Sequence, residues 1–256
     1  MTEQNLFKTG AKIIECFEEN NYEGYFVGGA VRDYTLGRAV SDVDITTNAL
    51  PDEIESLFEK TIDVGKEHGT IIVLMDDLPF EVTTYRVEGE YTDHRRPDNV
   101  FFTQHLKEDL SRRDFTINAM AMTADMELYD PHDGIRDLES RMINTVGTAA
   151  DRFGEDALRM LRAVRFMSQL DFNLADDAKD AISLHAEMLD YVAVERITAE
   201  LEKLYRGINV KSAKDMIERT GLKSHMPFFK HIDKEQYIKS SAQSLEQEAV
   251  IHIYNN

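Results

Sequence analysis

The 256-residue chain has one cysteine, no apolar run long enough to cross a membrane, and far fewer cationic than anionic side chains. A single Cys16 excludes an intramolecular disulfide framework. It sits among Ile13, Ile14 and Phe17, which fits a buried thiol in a reducing compartment better than a nucleophile, since the latter needs an exposed, electropositive setting. No stretch approaches the roughly 20 apolar residues of a spanning helix. Residues 1–12 also lack the basic start and apolar centre of a secretion signal. The expected location is cytoplasmic, without a membrane partner. Against 48 acidic side chains stand 29 Lys and Arg, a net charge of −19. Polyanion binding depends on Lys and Arg neutralising phosphates, so a basic surface all round is excluded. The arginines are clustered, however, as Arg95-Arg96, Arg112-Arg113, and Arg159, Arg162 and Arg165, which leaves room for a local positive surface. Most of the carboxylates read as a solvated face.

Apolar spacing predicts a helix over 5–19, stopped by Asn20-Asn21, then a short strand at 25–27 broken by Gly28-Gly29, with a helix over 30–36. A second strand holds Val43, Asp44 and Ile45, and Pro51 opens a further helix. Residues 70–75 and 80–85 read as strands joined by a hairpin turn at Asp76-Asp77. From 88 to 98 the chain is polar, without an apolar period, and reads as a loop. Past 151 the pattern is helical throughout, at 156–170, 175–189, 197–205 and again at 241–256, so a domain boundary is expected near 148. No internal repeat or low-complexity segment is present.

The chemistry concentrates in a few places. In a strand, Asp42 and Asp44 project from one side. Two like charges held together are costly unless a cation sits between them. Hard oxygen ligands of this kind suit Mg²⁺, which binds through one or two carboxylates together with substrate phosphates. Alone, an Asp-x-Asp pair is more often a surface turn. Upstream, Phe26-Val27-Gly28-Gly29-Ala30-Val31-Arg32-Asp33 supplies a strand, a glycine turn that lets backbone N–H groups approach a phosphate, a helix start and an arginine. On a helix over 156–170, Asp156, Arg159, Arg162 and Arg165 share one half and Ala157, Met160, Leu161, Val164 and Met167 the other. One face would pack and the other could recognise a ligand, or could simply be solvated, with an Asp156–Arg159 ion pair.

Gly28-Gly29-Ala30-Val31-Arg32-Asp33 with Leu36-Gly37 and Ser41-Asp42-Val43-Asp44-Ile45-Thr46 resembles the first motif of the class II tRNA nucleotidyltransferases. These comprise CCA-adding enzymes and bacterial poly(A) polymerases, within the DNA polymerase β superfamily. Further segments resemble family motifs in order: Glu81-Val82-Thr83-Thr84-Tyr85-Arg86, Asp93-His94-Arg95-Arg96-Pro97, Arg112 to Ala121, Asp130 to Asp137, Glu155-Asp156-Ala157-Leu158-Arg159, and Glu195-Arg196 with Glu200. The resemblance spans roughly residues 20 to 205.

The resemblance implies an α+β fold: a nucleotidyltransferase head with a mixed β-sheet and flanking helices over 1–148, an all-α neck over 149–206, and the start of a helical body over 207–256, expected to be truncated. It makes Asp42 and Asp44 the metal ligands and catalytic pair, with Mg²⁺ as cofactor. Glu81 is the third carboxylate, with Asp114 as competitor. Gly29, Arg32 and Arg113 fall to the triphosphate, Arg113 having an ion pair with an acidic neighbour as its alternative role. Asp156 and Arg159 would read the amino-bearing edge shared by cytosine and adenine, while Arg162 and Arg165 touch phosphate or buttress Asp156. The 88–98 loop matches the family's flexible loop. The implied activity is addition of C, C and A to tRNA 3′ ends from CTP and ATP, by a monomer or homodimer. Poly(A) synthesis, partial addition and a non-catalytic RNA-binding module are the alternatives.

Overall fold

The computed structural model describes residues 3–89 and 99–226. The Asp93–Pro97 motif, most of the 88–98 loop and the 241–256 helix lie outside the described residues. Two compact units are present, the first ending at Ser140 and the second running on from Arg141.

The first unit opens with α1 (Glu3–Glu19), β1 (Gly24–Val27), α2 (Gly29–Thr35), β2 (Asp44–Thr47) and α3 (Pro51–Leu57). It continues through β3 (Thr61–Gly65), β4 (Thr70–Met75) and β5 (Leu78–Thr84), then β6 (Arg86–Glu88) and β7 (Val100–Phe102). It closes with α4 (Leu106–Ser111), β8 (Ala121–Met122), β9 (Leu128–Tyr129) and α5 (Gly134–Ser140). Seven strands form one sheet in the order β3-β4-β5-β2-β1-β8-β9. Within it β2 and β5 run parallel and the other neighbours antiparallel, so the sheet is mixed, as the α+β expectation requires. Asp76 and Asp77 take φ of 51° and 58°, the left-handed pair that a tight hairpin turn demands and that Asp tolerates.

The sheet has two differently used faces. On one, the buried Phe26, Ile45, Ile71, Val73, Phe80 and Val82 meet α1. Phe7 packs edge-on to Phe26 at 5.1 Å between ring centroids. A methyl group at Gly10 would lie 2.7 Å from the Phe26 ring, so glycine there lets the helix sit down on the sheet. The other face carries Val27, Asp44 and Glu81 in one register row. There α4 packs Leu106 and Leu110 against Val27, Tyr85 and Ala121.

The second unit holds β10 (Met142–Ile143), α6 (Ala149–Glu155), α7 (Leu158–Leu170), β11 (Asn173–Leu174), α8 (Asp176–His185), α9 (Val194–Tyr205) and α10 (Val210–Arg219). Residues just past 140 join this unit, ahead of the boundary read near 148, because β10 pairs in parallel with β11. The helix read over 156–170 is α7, which begins two residues later, at Leu158. Asp156, with φ −134° and ψ 107°, is the extended joint between α6 and α7. Nor is α7 half-solvated: Arg159 and Arg165 are buried along with its apolar residues, because neighbouring helices supply carboxylates for them. Among the described residues no helix is long and apolar enough to cross a membrane.

The backbone turn after α9 sits hard against α7. A Cβ at Gly207 would lie 2.1 Å from Ser168 Oγ and 2.6 Å from its carbonyl carbon, where Ile208 and Asn209 both donate to the Ser168 carbonyl. Gly207→Ala is therefore expected to destabilise the second unit by about 3 kcal/mol through overpacking. Chemical denaturation reads this directly; a change under about 0.5 kcal/mol, the usual range for surface substitutions, would show that the turn tolerates a side chain.

Candidate functional site

The sheet row Val27, Asp44, Glu81 defines the site. Asp44 opens β2 opposite Val27, the last residue of β1, and lies beside Glu81 of the parallel β5. Partners in register point to the same face, so the two carboxylates are neighbours. Asp42 falls before the strand rather than in it, so the alternation argument covers only Asp44. Asp42 is exposed and accepts from Ser41 Oγ. Its charge nevertheless reaches Asp44, whose carboxyl is raised to about 6 by burial, then by Glu81 and Asp42, against a lowering by Arg113. Repulsion among acidic groups that a divalent cation would relieve is thus present at Asp44. Among the described residues no three Asp, Glu, His or Cys side chains converge as a ready-made metal cage. Mg²⁺ does not require one when substrate phosphates complete its shell.

Gly28 turns the chain from β1 into α2 at φ 73° and ψ −140°, a conformation that a side chain would strain. A Cβ there would lie 3.4 Å from Arg113 Nη1 and 3.5 Å from Asp44 Oδ2. The glycine edge, the arginine and the carboxylate therefore share one small volume. Gly29 faces Arg32, whose Nη2 is 3.5 Å from the corresponding point. Arg32 is itself buried, donating to both oxygens of Asp33 and to Asn118 Oδ1 at 2.7 Å. Asn118 in turn donates to Asp114 Oδ1. That carboxylate also accepts from Phe115 N, which ties it to the short turn that follows it, whereas Glu81 lies in register with Asp44. Cys16 lies elsewhere, half-buried, its thiol pushed up by burial and by Glu19.

One important residue goes unremarked in the sequence reading. Asp109 on α4 is fully buried. Its carboxylate takes Arg112 at 2.9 Å and Arg113 at 3.2 Å, and those arginines hold it below the usual carboxylate range despite its burial. The available signal was the Asp109–Arg112–Arg113 spacing, which by itself describes any helix-surface ion pair.

In the second unit, Asp156 Oδ1 accepts from Leu158 N and Oδ2 from Arg196 Nη2 at 2.9 Å. Arg159 pairs with Glu155, which also takes Arg152. Arg165 pairs with Glu200 at 2.8 Å and stacks over Phe166 at 4.1 Å. Arg162 is half-buried, 5.8 Å from the same ring. The four residues singled out on this stretch are thus brought to α6 and α7 but partnered separately. The arginine seen on Asp156 is Arg196 of α9.

Residues 24–144 match the model of the poly(A) polymerase head domain. Residues 171–233 match a model described as the probable RNA and SrmB-binding site of polymerase A. The CCA-adding enzyme of Staphylococcus aureus is 48% identical over 244 residues, 95% of this chain and 61% of that one. The chain thus spans about three fifths of the length of the curated relatives it matches. A Bacillus stearothermophilus CCA-adding enzyme in complex with CTP superposes at TM-score 0.81 with 46% identity, over 86% of this chain and 54% of that one. The Thermotoga maritima CCA-adding enzyme complexed with tRNA superposes at 0.69 with 27% identity, over 86% and 51%. With both units matched and the motifs in order, the chain belongs to the class II tRNA nucleotidyltransferase and poly(A) polymerase family.

Proposed function

We propose that this chain carries out template-independent addition of C, C and A to tRNA 3′ ends from CTP and ATP, releasing pyrophosphate. The observation that carries the reading is the convergence of Asp44, Glu81, Gly28 and Arg113 at the central strands of the sheet, in a chain similar to proteins named as CCA-adding enzymes. Asp42 and Asp44 are the residues to hold Mg²⁺, with Glu81 as third carboxylate. A bound divalent cation supplies charge neutralisation at the reacting phosphate and a more acidic attacking hydroxyl. The chain's own groups do the rest. Arg113 gives a guanidinium fork to phosphate oxygens, the open backbone at Gly28-Gly29 lets the triphosphate approach, and Arg32 holds the turn beneath it through Asp33 and Asn118.

Selection of the base is assigned to Asp156 and Arg159. Cytosine and adenine present an exocyclic amino donor where uracil and guanine present a keto acceptor. A carboxylate accepts from the first and repels the second. Glu155 orients Arg159, and Arg165 with Arg162 stiffens α7.

Incubating the protein with Mg²⁺, labelled CTP and ATP, and tRNAs ending at the discriminator base, after one C and after two, tests the assignment. Stepwise C, C, A addition is expected. A-tails on any RNA would move the assignment to poly(A) synthesis. Nucleotide binding without transfer would leave only a recognition module.

A further inference from the structure

Asp109 has no role in the chemistry above, yet it is a carboxylate with no exposed surface. A buried charge is tolerated only when fully paired and hydrogen-bonded, and its partners show what the pairing is for. Oδ1 accepts from Arg112 Nε at 3.0 Å and from the Arg86 backbone N–H at 3.3 Å. Oδ2 accepts from Arg113 Nη2 at 3.2 Å, with Thr46 Oγ1 at 3.5 Å. One end of the Arg113 guanidinium is thereby fixed to α4, while Nη1 at the other end is delivered to the edge shared by Gly28 and Asp44. Arg112 also reaches Glu88, as does Arg86.

We propose that Asp109 is a positioning residue for nucleotide binding: it holds the Arg113 fork in place to receive the triphosphate. The inference rests on the assignment of Arg113 to the triphosphate. A planar guanidinium anchored at one nitrogen loses little freedom on binding at the other, whereas an unanchored one must be ordered by the ligand itself. All the groups concerned lie in the first unit.

Calorimetric titration of the full chain with CTP and with CMP, in Mg²⁺, tests the proposal. Asp109→Asn, nearly isosteric, is expected to weaken CTP about tenfold, the worth of one charge-assisted hydrogen bond. CMP, without the terminal phosphates, should change less than about twofold. In an Arg113→Ala background the same substitution should add almost nothing, because coupled residues are non-additive. Arg113→Lys should bind CTP as poorly as Arg113→Ala, since an ammonium cannot span anchor and ligand; this arm decides the matter if Asp109→Asn does not fold. An Asp109→Asn loss that persists undiminished in Arg113→Ala, or full binding by Arg113→Lys, overturns the positioning role alone. Unchanged CTP binding by Arg113→Ala overturns the triphosphate assignment and this inference with it.

Discussion

Asp44→Asn is expected to abolish nucleotide transfer and, in the absence of metal, to make the protein more stable. Losing a metal-binding carboxylate removes several kcal/mol of transition-state stabilisation, a fall of at least about a thousandfold in rate. The stability gain follows from charge crowding. The Asp44 carboxyl is raised from 3.8 to about 6 in the folded protein, chiefly by burial and by Glu81. Between these values the folded state binds more protons than the unfolded one, so stability falls as pH rises through the window, and the whole cost is present above pH 6. Asn carries no charge and escapes it. A gain of about 2 kcal/mol, or roughly 5 °C in melting temperature, is expected at pH 8 in EDTA. The advantage should vanish below pH 4 and narrow with saturating Mg²⁺, which stabilises only the protein that binds it. Melting curves of both proteins across pH, with and without Mg²⁺, provide the check. Identical pH profiles would mean that Asp44 is not crowded.

Several features of this site are legible locally. Glycines after an apolar run announce the turn at Gly28, and Asp76-Asp77 announces the hairpin, since each depends on the backbone freedom of one or two residues. Runs such as 70–75 identify β4, whereas β3 escapes because three of its five residues are exposed and the two-residue β8 and β9 carry no period. What is illegible depends on partners distant in sequence. Asp109 draws no notice in the sequence, because its burial depends on α4 lying beside Thr46. The same holds for Asp156 with Arg196, 40 residues away, and for Arg165 with Glu200. Helical periodicity predicts a polar stripe there, either solvated or facing a ligand. It cannot foresee that other helices bring carboxylates and an arginine to meet that stripe. Motif order compensates in part, because it marks these residues as belonging together without saying how.

The joint at Asp156 yields the second large effect. Asp156→Asn is expected to shift the ratio of CTP to UTP incorporation by about ten- to a hundredfold toward UTP, the discrimination carried by one well-placed base contact. An aspartate presents only acceptors, so the keto oxygen of uracil meets a lone pair. Asn presents an amide donor that can turn toward that oxygen. The substitution has a structural cost as well. Asp156 accepts from both Leu158 N and Arg196 Nη2, and an amide has one oxygen for the two donors, so about 1 kcal/mol of stability should be lost at the joint. The two effects are separable. Competition between labelled CTP and UTP at a single tRNA end gives the ratio, and a melting curve gives the structural cost. Were Asp156 merely a connector between α6 and α7, CTP and UTP would decline together and their ratio would stay fixed. A changed ratio with modest destabilisation requires the carboxylate to face the base.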